Sequence, residues 1–487
     1  MEERPRVVVL GAGLAGIAAA TRLREAGFQR VFVVEAAEEA GGRVARAGVG
    51  KSWVDTGAQF IHGASDANPV YSLLKQHNLL SELVTEEGSE LFLNDKGSKV
   101  DTEFANRMYE AGEEIIWRKH EGLIGKSLGE HFAEESQQLI QKWGSPEEEQ
   151  HKILSILHLV GKNVAADVGV SDLRAVSLNS WQYFCNMGDD LNVEGKMFML
   201  KDKLLEDLPK DRLLLNRPVS KVYWEGSFRN EEGHQFPVCL LCENGEQILA
   251  DHVVVTVSVG YLKTAASTFF DPPLPQEKLE AVEKLGFGCL NKIFLEYEEA
   301  FWESDISSIS LVWEGETPAD LSSSTTRWIK SLQHFTVMRP KETFGNVLIG
   351  WCSGNVAEHV ETLTEQELAC VITENFRKFT GNPSIPVPKR VLRTQWQSKK
   401  FIQGTYTYIP PGIDAKIMDK LAEPLSSSKK PSVDLQVLFA GEGTIKELYG
   451  TVQGALLSGH REAERLAQHY GRAVSTTAAC SLPDQEN

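Results

Sequence analysis

Residues 6–35 read RVVVLGAGLAGIAAATRLREAGFQRVFVVE. An apolar strand over 6–10 runs straight into GAGLAG, a helical stretch IAAATRLREAG follows, and a second strand ends on Glu35, 24 residues after Gly11. The glycines fall where a strand-to-helix turn that cradles a pyrophosphate needs them. Gly11 permits the tight turn, Gly13 lets the backbone approach the phosphates, and Gly16 lets helix and strand pack closely. Glu35 is placed to accept from ribose hydroxyls, and the helix N-terminus supplies N–H donors and a favourable dipole. Strand, fingerprint, helix, strand and acid together predict a dinucleotide-binding βαβ unit. At this point NAD and FAD remain open. Just beyond, Gly41-Gly42-Arg43 adds two permissive glycines and a guanidinium suited to a second phosphate contact, which a nicotinamide site does not usually need.

The rest of the chain must be large enough to do something with that unit. At 487 residues it exceeds the size at which one core stops growing, so two or more domains are expected. An apolar content of 42% and a charged content of 24% fit a globular enzyme. The formal net charge of -18 argues against nucleic acid and anionic membrane surfaces, and weakly favours a cationic ligand. Seven cysteines leave at least one free thiol and suggest no disulfide framework. Cys239 and Cys242 form a C-x-x-C inside the strand-like VCLLCE with no second ligand pair, so packing is the expected role and no metal is predicted. MEERPRVVVL shows no signal peptide, and no apolar span is long enough to cross a bilayer; a reducing intracellular compartment is expected.

The stretch 285–297, LGFGCLNKIFLEY, poses a separate question. Alternation puts Ile293, Leu295 and Tyr297 on one face and Lys292, Phe294 and Glu296 on the other, which predicts a strand with one wet side and Lys292 in water.

GAGLAG, Glu35 and GGR together resemble the opening of the FAD-dependent amine oxidases, the family of monoamine oxidases, polyamine oxidases and lysine-specific histone demethylases. Residues 438–466, LFAGEGTIKELYGTVQGALLSGHREAERL, resemble its closing motif. Between them DTGAQFIHG (55–63), NRPVSKVYW (216–224), HVVVTVSVGYLK (252–263), FGCLNKIF (287–294) and GTYTYIPPG (404–412) each resemble a block of the family, in the family's order. IHGASDANPVY, FGCLNKIFLEYEEAFWE and TGNPSIPVP bring the resemblance nearest to the animal polyamine oxidases of the acetylpolyamine and spermine type. The insertion and DNA-binding module of the chromatin-acting demethylases are not visible.

The resemblance implies an α/β chain of mixed α+β character, with a Rossmann-like FAD-binding domain interleaved with a substrate-binding domain of mixed sheet and helices. Residues 1–80, 200–285 and 390–470 would form the first, and 81–199 and 286–389 the second. Residues 101–165 read as helices of the substrate domain, 426–432 (SSSKKPS) as a surface loop, and 471–487 as a disordered tail.

The resemblance also implies roles. Lys292 would hold a water against flavin N5, a function that reverses the solvated reading, since a cation there stabilises negative charge on the ring and on oxygen. Gly11, Gly13, Gly16, Glu35, Gly42, Arg43, Gln59, Val219, Trp396, Glu442, Thr451 and Val452 would bind the cofactor. Val219 would lie on adenine, Glu442 on the ribityl chain, Trp396 near the dimethylbenzene edge, and Thr451 with Val452 at the N1/O2 edge. Thr405 stands where monoamine oxidases have a flavin-linked cysteine, so FAD is expected to be non-covalent. Tyr406 would wall the substrate, with Thr451 in place of the opposite tyrosine. His62 would contact the substrate amine and help keep it neutral, as loss of hydride from the adjacent carbon requires. The family's acid in a phenylalanine-glycine-glutamate context is replaced here by NSWQYFCNMGDD; Asp189 or Asp190 would substitute, or acetylated substrates would be favoured. The altered VEGKM (193–197) replaces a glycine pair.

The implied activity is oxidation of a polyamine (spermine, spermidine or their N1-acetyl forms) beside a secondary amine, with molecular oxygen as second substrate. The products would be a shorter amine, an aldehyde and hydrogen peroxide. Alternatives are a demethylase-like amine oxidase and a flavin-stabilised binding protein without chemistry. Neither nucleic acid nor membrane is an expected partner. Since Gln485-Glu486-Asn487 is not an S-K-L-type ending, a cytoplasmic location is expected, with peroxisome or nucleus as alternatives.

Overall fold

In the computed structural model of the chain, the described residues are 5–80, 88–118, 125–144, 146–314, 327–427 and 434–473. Two sheets organise them. The first has five parallel strands in the order Val437–Phe439, His252–Val255, Arg6–Leu10, Arg30–Val34 and Leu213–Leu214. Val7, Val8 and Val9 in its central strand are fully buried, as a parallel strand covered on both faces requires. One cover is the pair of helices Leu14–Glu25 and Val452–His469. They touch so closely that a Cβ on Gly459 would lie 2.2 Å from the carbonyl oxygen of Ala15. The other face packs on the sheet of Val219–Tyr223, Val238–Cys242 and Gln247–Ala250, in which Cys239 and Cys242 are buried free thiols.

The second sheet has six strands in the order Arg390–Arg393, Leu290–Tyr297, Asn346–Ser353, His334–Val337, Ile306–Val312 and Ser89–Asn94. All neighbours are antiparallel except the last pair, so this sheet is mixed. The helices Thr102–Trp117, Leu128–Trp143 and Glu147–Val168 share a core with Phe92 of its edge strand and Val312 of the strand beside it. The fold is thus the expected mixed α/β one.

The strand Leu290–Tyr297 departs from its expected wet side. Lys292 is 4% exposed and Phe294 1%, because Phe294 enters a second core with Val49, Val54 and Phe344 while Ile293 and Leu295 enter the first. Only Leu290 and Glu296 reach partial exposure. Alternation reports two faces; it does not report that a β-hairpin, Arg46–Val49 with Ser52–Asp55, helps cover the second.

The expected tail and surface loop fall largely outside the described residues, as 474–487 and 428–432 respectively. Arg472, the last part of the chain before that end, lies over the Phe28 ring at 4.1 Å.

Candidate active site

A cavity of about 1490 Å³ runs from the carboxyl ends of the parallel strands to the six-stranded sheet, the place where an open parallel sheet leaves a crevice. Gly11, Gly13, Glu35, Gly42, Arg43, Gln59, His62, Val219, Lys292, Trp396, Tyr406, Glu442, Thr451 and Val452 all border it. Of the expected site residues only Gly16 does not, and its place explains why. A Cβ there would lie 1.9 Å from the Gly11 carbonyl oxygen, so its lack of a side chain lets the helix start against the turn.

At one end Gly11 takes φ +109°, a conformation that L side chains rarely adopt, while nothing lies within 4 Å of where a Gly13 Cβ would be. Gly13 caps the helix Leu14–Glu25 without any side-chain hydrogen bond, so the first-turn N–H groups keep donors for an anion. Glu35 accepts from Ala12 N at 2.7 Å and Ala37 N at 2.9 Å. A carboxylate has about four acceptor positions, so capacity for two hydroxyls remains. Val219 begins the strand beside it, and Arg217 N donates to the Glu35 carbonyl at 2.8 Å.

In the middle, Arg43 pairs with the buried Glu442 at 2.9 Å and also donates to the carbonyl of Thr405. Glu442 in turn accepts from Gly450 N at 3.0 Å and from Thr407. The carboxylate is locked from three sides, which aligns the turn 441–444 with the Tyr406–Tyr408 strand. The Thr405 hydroxyl is consumed between Leu290 N and Gly288 O.

Lys292 lies on the cavity wall with its ammonium donating to the Asp55 carbonyl at 2.7 Å and to Gln59 Oε1, 5.0 Å from the Trp351 ring centroid. Burial lowers its pKa, against the opposing pull of Glu194 and Asp55. Asp55, fully buried, is pushed up to about 8 by burial and by Glu194, with Lys292 acting the other way. Burial likewise raises Glu194, whose Oε1 accepts from Asp55 N at 2.6 Å. Behind the strand, Asn291 Oδ1 accepts from the Thr394 hydroxyl and Trp396 N, and its amide donates to Glu361 at 2.8 Å. These bonds fix Trp396 beside Lys292, with the indole N–H directed to Thr56 O at 3.3 Å.

On the opposite side Tyr406 donates to the Ala166 carbonyl at 3.2 Å. Burial, with Asp167 and Cys289, holds its phenol well above the usual range, so it stays neutral. Thr451 caps the helix Val452–His469: its hydroxyl accepts from Gly454 N at 3.0 Å and donates to Leu448 O at 2.7 Å. Only its methyl and backbone are left for the cavity. Tyr449, two residues earlier, supplies the aromatic surface there, pinned by Ser180 O at 3.0 Å and by the edge of Phe184.

His62 Nδ1 sits 2.8 Å from Asp190 Oδ2, while Asn68 and Gln453 hold its carbonyl. Burial pulls the imidazolium down, but the bond to and charge of Asp190, aided by Asp167, prevail and the pKa lies above the ordinary value. Asp190 is correspondingly lowered: burial would raise it, and His62 overcomes that. Of the two acids expected from the loop, then, Asp190 serves His62. Asp189 is exposed, with its carbonyl taken by Ala64 N.

Asp55, Glu194, Asp167, Asn291 and Tyr449 were not singled out from the sequence. The one available signal was Asp55's place at the head of DTGAQFIHG, a strand end facing a glycine turn.

The match to the family described as flavin containing amine oxidoreductase extends over residues 14–467. The chain belongs to this family. Among its relatives, the peroxisomal N(1)-acetyl-spermine/spermidine oxidase of Bos taurus is 38% identical, over 95% of this chain and 94% of that protein. The protein of the same name from Homo sapiens is 36% identical, over 96% of each. Polyamine oxidase 1 of Oryza sativa subsp. japonica is 30% identical over 98% of this chain and 99% of that one. Among solved structures, cyclohexylamine oxidase from Brevibacterium oxydans IH-35A superposes with a TM-score of 0.67 at 20% identity, over 96% of this chain and 100% of that one, which establishes a shared fold. As a member of the family this chain is an FAD-dependent amine oxidase. The open Gly13 cradle, the uncapped helix start and the spare acceptors of Glu35 fit the dinucleotide half of FAD, and the polar floor made by Lys292 fits its ring.

No helix among the described residues is long and apolar enough to cross a membrane, and none of their His, Cys, Asp and Glu side chains group as a metal site.

Proposed function

We propose that this amine oxidase acts on polyamines, converting a secondary amine R-CH2-NH-R′, with oxygen and water, into R-CHO, R′-NH2 and hydrogen peroxide. The carrying observation is that the dinucleotide cradle and the trio Lys292, His62 and Tyr406 open into one continuous cavity. The extensive likeness to proteins named as N(1)-acetyl-spermine/spermidine oxidases supports the choice of polyamine. FAD, when bound, takes two electrons from the amine and passes them to oxygen.

The chain's own residues prepare that exchange. Lys292 places a buried positive charge and a hydrogen-bond donor at the floor, where negative charge develops. His62 borders the cavity with Nδ1 engaged by Asp190, which leaves Nε2 as the nitrogen that, in the neutral form, can accept from an amine N–H and favour an uncharged amine. Tyr406 forms an aromatic wall for a slim chain. Thr405 offers no sulfur for a thioether, so FAD is held without a covalent bond.

The cofactor would be held by 1–80, 200–285 and 390–470 and the substrate by 81–199 and 286–389. Because Arg390–Arg393 pairs into the six-stranded sheet, the last boundary is better drawn after Arg393. The protein is read as cytoplasmic, with the peroxisome as the alternative suggested by the names of its mammalian relatives. Fluorescence imaging of the full chain decides between them.

The test of the function is to purify the protein, record its visible spectrum, and measure peroxide with spermine, spermidine and their N1-acetyl forms. Peroxide from at least one is expected. Bound flavin with no peroxide from any would overturn the reading.

A further inference from the structure

Asp167 has so far entered only through its charge on His62 and Tyr406. Asp167 occupies the last turn of the helix Glu147–Val168 and borders the cavity, yet among the described residues its carboxylate has no hydrogen-bond or ion-pair partner. The other acid here, Asp190, is engaged by His62 at 2.8 Å.

Asp167 is also held firmly in place. The preceding carbonyl, that of Ala166, accepts from Tyr406 Oη at 3.2 Å. Two residues on, Gly169 ends the helix in a left-handed conformation, φ +76°, and its carbonyl accepts from Cys289 N at 2.8 Å. A Cβ on Gly169 would come within 3.1 Å of the Tyr406 ring. The segment 166–169 is therefore clamped between Tyr406 and the start of the strand that carries Lys292. The backbone that carries Asp167 is thereby fixed beside Tyr406 on the cavity wall.

An acid in such a place gains most from a cation. Burial pushes Asp167 up to about 7, Asp190 and Glu113 add to that, and His62 opposes it. The phenol of Tyr109 is engaged by Asn163 at 3.0 Å and stays neutral. Asp167 is open to the cavity, so an incoming ammonium would meet a carboxylate with no hydrogen-bonded partner among the described residues, His62 being the cation already acting on it, and would form a charge-assisted hydrogen bond there.

We propose that Asp167 receives an ammonium group of the substrate, so that the anchoring acid comes from the end of a helix instead of from the 182–190 loop. The inference deepens the polyamine reading and rests on it. It explains how a chain with Trp181-Gln182-Tyr183 in that loop still meets a polycation.

The test uses FAD-loaded wild type, Asp167→Asn and Asp167→Glu. Affinity for 1,8-diaminooctane and for octylamine is read from perturbation of the flavin spectrum, and kcat and KM with spermine from peroxide. Asp167→Asn is expected to lower diamine affinity and spermine kcat/KM by about 10- to 100-fold, as for one charged hydrogen bond. Octylamine binding should move by less than about threefold, a fraction of 1 kcal/mol, and Asp167→Glu should restore part of the diamine preference. Equal losses for diamine and monoamine, no loss for either, or loss of flavin from both variants would overturn the inference. A wild type whose diamine preference depends on Asp167 but which forms no peroxide would leave the anchor standing and remove the polyamine oxidase reading. Normal spermine oxidation by Asp167→Asn would do the reverse.

Discussion

The ammonium of Lys292 lies 2.7 Å from the backbone carbonyl oxygen of Asp55, across a sequence separation of 237 residues. A lysine 4% exposed and bonded in this way is neither solvated nor free to wander. Its position is set by the strand on one side and by the Ser52–Asp55 hairpin arm on the other.

Lys292→Met tests what that position is for. Methionine keeps much of the length and apolar stem, so the variant should fold and retain FAD. Its turnover should fall by about 10- to 1000-fold, the range for losing one electrostatic group from an active site. Rapid mixing separates the half-reaction with amine from that with oxygen. Wild-type rates in both would show that the buried charge serves packing alone.

The parallel sheet and its cofactor cradle were legible because their signal is local. Gly11, Gly13, Gly16 and Glu35 lie within 25 consecutive residues, and each glycine answers one backbone demand. The surroundings of Lys292 were not, because alternation along one strand cannot report what other segments lay against it. Glu194 reaches Asp55 over a separation of 139 residues. Asp167 looks in sequence like any polar residue near a helix end; only the clamp between Ala166 and Tyr406 and between Gly169 and Cys289 turns it into the cavity. Thr451 was legible as a helix start, yet its hydroxyl proves to be spent on the cap.

Glu35→Ala removes a carboxylate that the backbone N–H groups of Ala12 and Ala37 already orient. Loss of the ribose acceptor, together with the two donors left unpaired, should weaken FAD retention by about 1–3 kcal/mol. Gel filtration followed by the ratio of flavin to protein absorbance measures it. Full retention, with unchanged substrate preference, would place the ribose elsewhere.

Acid precipitation of the holoenzyme should release all of its flavin to the supernatant, because Thr405 offers only a hydroxyl, itself bonded to Leu290 N and Gly288 O. Yellow colour kept by the pellet would reveal a covalent link at another residue.

Asp190→Asn should shift the pH dependence of kcat/KM. Asp190 raises the His62 pKa, and a protonated His62 has no lone pair for a substrate amine and repels a cation. Activity should therefore rise with pH as His62 loses its proton. With Asp190 neutralised, His62 gives up that proton more readily, so the ascending limb should move to lower pH. Tyr406 faces the same space and stays neutral, while Asp167, which Asp190 also helps to raise, is removed from the comparison by repeating it in the Asp167→Asn background. A limb that stays in place would assign it to a group other than His62.

Glu194→Gln addresses the buried trio of Lys292, Asp55 and Glu194. Both carboxyls are raised by burial, and Glu194 helps push Asp55 up to about 8. An acid with a raised folded-state pKa binds its proton more tightly than the unfolded chain does. Stability therefore falls as pH climbs from the ordinary value of 3.8 toward about 8 for Asp55. At the alkaline end of that window two carboxylates share one ammonium, and one negative charge is left uncompensated in the interior. Glutamine keeps an oxygen to accept from Asp55 N but carries no charge, leaving Asp55 and Lys292 as a matched pair. The melting temperature of the FAD-loaded variant, compared with wild type at each pH, should therefore gain steadily between pH 6 and pH 8.5, the interval spanning Asp55's raised pKa. Melting curves that stay parallel across that interval would show that Glu194 and Asp55 do not titrate together, and that the ammonium of Lys292 is balanced without them.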